Sequence, residues 1–458
     1  MMKLWAGRFS AETNKLVEQF TESISFDKRL YKYDIQGSIA HIKMLAKQKI
    51  VSIEESKKII KALKIIEKQI DDGTFEFKQE YEDIHLNIES KLIEMLGQDI
   101  GGKLHIVRSC NDQVVVDVKL YLKDEYKNLK KILKQLLTIL VELAKKNKNV
   151  LMPGFTHLQH AQPIYLAHYL LAYFQKFKRD LLKLNEFFKI LDECPLGAGA
   201  LAGTTHNIDR FYTSKLLDFS KPTDNSIDTV SDRDFILDYL YVVALIAIHL
   251  SQMSEEFIIW SSQEFNYITI SDAFTTGSSI MPNKKNPDVC ELARGKAGRL
   301  ISNLNALMIM LKGLPMSYNR DLQDDKKILF DSADIVKITL QVFCAMLKEI
   351  KFNNEKLSES LKKGYIEATD IADYLVAKGI AFRAAHHISG ELVKYAISKN
   401  KSLQDLSLEE YQKFSDKFDK DIYGAINFMN IVERRKSYGA ASKKSIDLQI
   451  NQALAFLK

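Results

Sequence analysis

Four cysteines in 458 residues, Cys110, Cys194, Cys290 and Cys344, are too few for a disulfide-built scaffold, and none sits in a CxxC pair. A reducing, cytoplasmic setting is the expectation. Proline is scarce and confined: all seven fall between Pro153 and Pro315. The tracts 103–152, 164–194, 223–276 and 316–363 hold neither proline nor glycine, so nothing in them breaks a helix. No long segment alternates with period two, which leaves an all-α chain as the expectation. The opening MMKLWAGRFSAETNK lacks an apolar signal core. The most apolar run, 239–250, is too short to span a bilayer and follows Asp232, Arg233, Asp234 and Asp238. A buried helix is expected there, and no membrane partner. The net charge of +6 is mixed along the chain, without the basic stripe that nucleic acid requires.

What is present suits a large globular core: 46% apolar and 27% charged residues. Val115, Val118, Leu122, Tyr126, Leu129, Leu133, Leu136, Leu140 and Leu143 step by threes and fours, the seam of a helical bundle. Ile132 and Ile139 widen that stripe, so more than one helix packs on it. From Gln113 to Lys148 such a helix is about 50 Å long. Glycine punctuates shorter helices before and after. The spacing predicts three domains: a helical N-terminal domain over 1–107, a central long-helix bundle over 108–360, and a small helical domain over 361–458.

Polar residues gather at three predicted helix starts. RSCND (108–112) opens the first long helix, GFTHLQHAQP (154–163) the second, and GSSIMPNKKNPD (277–288) a third that runs to about Lys312. Thr156 to Gln159 fits a capping box, with Pro163 beginning the helix proper. Asn286, Pro287 and Asp288 fit an N-cap, a first helical position and an acidic first turn. Taken singly, each is an ordinary capped helix. Together they combine hydroxyl, amide, imidazole and cation at helix ends that favour anions. His157 and His160 have no further Cys or His to complete a metal set, and GSSIM is not the GxSxG of a serine hydrolase. Successive helices of a bundle run antiparallel, which sets RSCND and THLQ at opposite ends of one chain. One site containing both requires a second chain, so an oligomer is expected.

GSSIMPNKKNPDVCE, residues 277–291, resembles the signature of the fumarase/aspartase superfamily at every fixed position. LWAGRF, FTESISFD, SCNDQV, MPGFTHLQHAQP and YNRDLQDDK are similar, within it, to the argininosuccinate lyase family. The resemblance implies β-elimination of argininosuccinate to arginine and fumarate, without metal or organic cofactor. It also implies an all-α homotetramer with a twenty-helix core and sites shared by three chains. Carried over by motif, Ser278 is the base on a mobile loop, Lys284 meets the aci-carboxylate, and His157 is the acid or its relay, oriented by Glu291. Ser23, Asn111, Thr156, Asn286, Tyr318, Gln323 and Lys326 match substrate contacts, with Ser109 and His85 in support. Two departures stand out: Cys110 and His160 each occupy a position where the family usually has arginine. A catalytically silent oligomer on the same scaffold, or another lyase of the superfamily, is the competing expectation.

Overall fold

The computed structural model describes residues 13–458; the LWAGRF motif lies outside the described residues. In chain order the elements used below are α1 (Tyr31–Lys47), α2 (Ile53–Asp71), α3 (Ile84–Leu96), α4 (Cys110–Lys146), β1 (Leu151–Thr156), β2 (Gln159–Tyr165), α5 (Leu166–Leu191), α6 (Asp234–Ser261), β3 (Thr276–Gly277), β4 (Lys285–Asn286), α7 (Asp288–Leu311), α8 (Asp325–Glu349), α9 (Ala368–Ala377) and α10 (Phe382–Lys399). Shorter helices link them. The class is all-α, with small two-stranded pairings.

Two compact units form. One comprises Met1–Lys130, Leu182–Leu245 and Gly298–Val336, the other Lys131–Leu181, Ile246–Ala297 and Lys337–Lys458. Each of α4, α5, α6, α7 and α8 gives part of its length to each unit. In the first unit α1, α2 and α3 close over Ile35, Ile42, Leu45, Ile59, Leu63, Ile66, Ile88 and Leu92. Ser52 and Glu55 start α2 with a reciprocal capping box, Ser52 Oγ accepting from Glu55 N and Glu55 Oε2 from Ser52 N. In the second unit α9 and α10 bury Ile371, Leu375, Leu392 and Ala396 with Tyr411 and Phe418.

The seam read from α4 is buried at every position, Val115 through Leu143, including Ile132 and Ile139. At about 1.5–3 kcal/mol per buried aliphatic side chain, this stripe outweighs the helix propensity of the charged residues opposite. Helix α6 is apolar and long enough to cross a membrane by composition alone. Its Phe235, Ile236, Tyr239, Leu240, Val243, Leu250 and Phe257 are nevertheless packed inside the protein.

Two local expectations are corrected. Residues 151–165 form an antiparallel hairpin, not a capped helix start. Thr156 and Gln159 face each other across its turn, so no capping box forms, and Pro163 lies in β2 opposite Pro153. Prolines tolerate this because a two-stranded hairpin leaves outward N–H positions unused. His157 and Leu158 occupy the turn at φ 55° and 57°, the doubly left-handed geometry of a tight hairpin. Helix α5 then starts at Leu166, whose N–H donates to Val150 O at 2.8 Å. At the third cluster, Pro287 rather than Asn286 provides the first helical carbonyl, accepting from Glu291 N at 3.1 Å. Asn286 belongs to β4, paired with Thr276.

Candidate active site

The RSCND cluster is built by helix capping. Ser109 precedes α4; its Oγ accepts from Asn111 N at 3.3 Å, while Asp112 Oδ1 accepts from Ser109 N at 3.1 Å. Asp112 is fully buried, and its Oδ2 accepts from Gly197 N and Gly199 N, both at 2.9 Å. Burial pushes this carboxyl up, and the three backbone donors oppose that. Gly199 has φ +64°, and a Cβ there would stand 3.0 Å from Gly203 O, so a side chain would strain the loop. The loop 197–203 therefore rides on the start of α4, and Asn111 Nδ2 donates to Ala200 O at 3.0 Å.

Ser23, His85 and Lys326 surround a buried set of charges in the same unit. Asp83 caps α3 by accepting from Leu86 N. His85 Nδ1 then lies 2.6 Å from Asp34 Oδ2 and 3.6 Å from Asp117 Oδ2. Burial works against its charge, yet the Asp34 hydrogen bond and the charges of Asp83, Asp34 and Asp117 outweigh it and hold the imidazole up at about 10. Asp34, His85 and Asp117 also gather potential metal-ligand atoms within 4.8 Å. A charged imidazole between two carboxylates accounts for that arrangement. Ser23 is buried, with its N–H on Glu82 O and its Oγ donating to Asp27 Oδ2 at 2.5 Å. Burial and Asp83 push Asp27 up to about 6, against Ser23, His85 and Lys326.

The YNRDLQDDK residues lie in this unit too. Lys326 is 2% exposed and donates to Asp325 Oδ1 at 2.9 Å. Gln323 Nε2 donates to Thr21 O and Glu22 O at 3.2 and 3.3 Å, close to the backbone of Ser23. Tyr318 is half-buried, and burial pushes its phenol up to about 12, so it is a donor at neutral pH.

The other unit carries the residues expected to react. Thr156 and His157 sit exposed at the hairpin tip. Two consecutive non-glycine residues in left-handed geometry cost about 1 kcal/mol or more each, strain of the kind that collects at functional sites. The GSS loop is pinned at its base by β3 and β4 and by Thr276 Oγ1 donating to Asp288 Oδ2. Within it Ser278 Oγ accepts from Ile280 N at 3.3 Å and Met281 N at 3.1 Å. Two N–H donors on a hydroxyl oxygen favour its developing negative charge. Lys285 is paired with Asp272 at 2.6 Å, whereas Lys284 makes no ion pair among the described residues. Asn286 Nδ2 donates to Thr276 Oγ1 at 3.4 Å rather than serving as a cap. Glu291 is exposed on the first turn of α7, and no hydrogen bond joins it to His157 among the described residues. His160 Nδ1 bonds to Lys363 O, and its ring packs edge-on to Phe155.

A lyase family profile matches residues 7–302, and an argininosuccinate lyase C-terminal profile matches residues 365–433. The argininosuccinate lyase of Syntrophus aciditrophicus (strain SB) is 52% identical over 450 residues, 98% of this chain and 95% of that protein. The chain belongs to the argininosuccinate lyase family. A second member, the argininosuccinate lyase of Caldicellulosiruptor saccharolyticus, is 48% identical over 100% of this chain and 99% of its own length. Among solved structures, an EDDS lyase variant with bound fumarate superposes with a TM-score of 0.85 at 27% identity, covering 98% of this chain and 91% of its own. A class II fumarase from Schistosoma mansoni, 17% identical with a TM-score of 0.74 over 88% of this chain and 90% of its own, shares the fold.

Proposed function

We propose that this member of the family catalyses reversible β-elimination of argininosuccinate to L-arginine and fumarate, the last step of arginine biosynthesis. Its membership rests on relatives alike over essentially the whole chain. The assignment of roles rests on Ser278 Oγ, which accepts two backbone N–H groups, and on Lys284 of the same loop, which makes no ion pair among the described residues. Ser278, having lost its hydroxyl proton to solvent before the step, takes through its alkoxide Oγ the proton from the substrate carbon next to a carboxylate and becomes the neutral hydroxyl. That carboxylate becomes an aci-carboxylate dianion, and Lys284 stabilises it; a cation at about 4 Å is worth roughly 4 kcal/mol at an effective dielectric near 20. The C–N bond then breaks, and the departing guanidinium nitrogen receives a proton from His157 directly or through water. Glu291 orients His157. Ser23, Asn111, Thr156, Asn286, Tyr318, Gln323 and Lys326 hold the substrate, with Ser109 and His85 fixing Asn111 and the Ser23 pocket.

The reading includes a cytosolic homotetramer with sites shared by three chains. Asn111 lies in the first turn of α4, whose 37 residues make a helix about 55 Å long, and THLQ comes after that helix, from the end of β1. The division into domains over 1–107, 108–360 and 361–458 belongs to the same reading. The test is purified protein with argininosuccinate, following fumarate by absorbance. Ser278→Ala should abolish turnover and leave substrate binding largely intact. Undiminished turnover removes Ser278 from the role of base, and an intact oligomer that releases no fumarate identifies a silent scaffold.

A further inference from the structure

Tyr318 and Lys326 both reach their positions through one short segment that the proposed reaction leaves unused. Tyr318 follows Ser317, a non-glycine residue at φ 73°. Ser317 N donates to Ser231 Oγ at 2.5 Å. The Ser231 hydroxyl proton is already committed to Ile227 O at 2.7 Å, so its oxygen is available only as an acceptor. Two residues on, Arg233 donates through Nε to Asp325 Oδ2 at 2.5 Å and through Nη1 to Asp232 O at 2.7 Å. Asp325 Oδ1 in turn holds Lys326 Nζ at 2.9 Å. Arg233, Asp325 and Lys326 are 2%, 0% and 2% exposed.

The chemistry of this chain of contacts is specific. A planar guanidinium anchored at two nitrogens fixes one carboxylate oxygen and leaves the other for the lysine. Two cations share one carboxylate, and Arg233 Nη2 has no hydrogen-bond partner among the described residues, so the cluster keeps N–H donors to spare. Tyr318, protonated at neutral pH, adds an O–H donor. Both groups held by the segment are donors, which suits a substrate carboxylate.

We propose that segment 231–233 is a positioning element for substrate binding: Ser231 fixes Tyr318 through Ser317, and Arg233 fixes Lys326 through Asp325, so that both donors meet one carboxylate of the substrate. This rests on the reading above that Tyr318 and Lys326 bind argininosuccinate. Neither Ser231 nor Arg233 touches the reacting atoms.

The experiment compares full-length wild type, Lys326→Met, Ser231→Ala, Ser231→Thr and Asp325→Asn, with kcat, KM and Tm measured for each. Losing the one acceptor in Ser231→Ala should raise KM about five- to tenfold while kcat stays within about twofold. Ser231→Thr, which keeps the hydroxyl, should restore KM to within about twofold of wild type. Asp325→Asn weakens charge-assisted bonds and should raise KM about ten- to a hundredfold. Where that variant does not fold, the Ser231 pair decides. An unchanged KM in Ser231→Ala, or a loss of kcat and Tm that threonine does not rescue, overturns the proposal. Should Lys326→Met leave KM unaffected, or wild type release no fumarate, the underlying reading fails as well, so the two failures are told apart.

Discussion

His85 Nδ1 stands 2.6 Å from Asp34 Oδ2 with both side chains buried, and Gln113 Nε2 donates to the same oxygen. The pair is ionised, so its contribution depends on pH in a definite sense. The folded-state pKa of His85 is about 10 against an ordinary 6.5. Its stabilisation is therefore fully present below 6.5 and is lost as pH rises through about 10. Burial opposes ionisation of Asp34, but the His85 hydrogen bond and charge hold it below the usual carboxylate range, so that contribution is lost only in acid.

The first prediction follows. His85→Asn leaves buried carboxylates without their cation and should cost about 3–5 kcal/mol near neutral pH. The difference in Tm between wild type and variant should be widest near pH 6 and close as pH approaches 10. A difference that stays constant across that range would show that His85 is neutral in the fold.

Asp112 tests whether the glycine loop depends on the start of α4. Asp112→Ala leaves the N–H groups of Ser109, Gly197 and Gly199 without their acceptor. Each unsatisfied buried donor costs about 1–3 kcal/mol, so the variant should lose several kcal/mol of stability. Hydrogen exchange should rise first at Gly197 and Gly199. Protection unchanged at those amides would mean that another contact holds the loop.

The long helices were legible in the sequence because a seam such as Val115 to Leu143 repeats with the helical period, and proline-free tracts set their limits. The hairpin at 151–165 was not. Its strands hold two prolines and a bulge at Ala161, so period two is masked, and its turn uses His157 and Leu158 where Asn and Gly are the usual signal. THLQ also satisfies the letters of a capping box, and only the strand pairing shows that no helix follows directly. The motifs located the candidate residues, but their partners are remote in sequence: Asp34 with His85, Arg233 with Asp325, Asp112 with Gly199. Burial of charge leaves no periodic trace, so such pairs appear only once the chain is folded.

Lys284 and Lys285 are adjacent and chemically identical, yet among the described residues only Lys285 is paired, with Asp272. Both sides of that pair are largely exposed, so it is worth at most about 1 kcal/mol. Lys285→Met should therefore change kcat by no more than a few-fold. Lys284→Met removes the proposed counter-charge of the aci-carboxylate and should lower kcat about a hundredfold or more, with a smaller effect on KM. Equal losses from both substitutions would assign the role to the pair's general field rather than to one ammonium.

The composite site makes the last prediction. Asn111 and Ser278 are proposed to serve one site from different chains. Inactive Asn111→Ala and Ser278→Ala proteins, unfolded together and refolded in equal amounts, should then recover activity. Where the Asn111 and Ser278 of a site come independently from two chains, each is intact half the time, so about a quarter of the sites are wild type. Turnover near that fraction, absent when either variant is refolded alone, is the expected result. Recovery of no activity from a mixture shown by size to be oligomeric would place both residues of a working site on one chain.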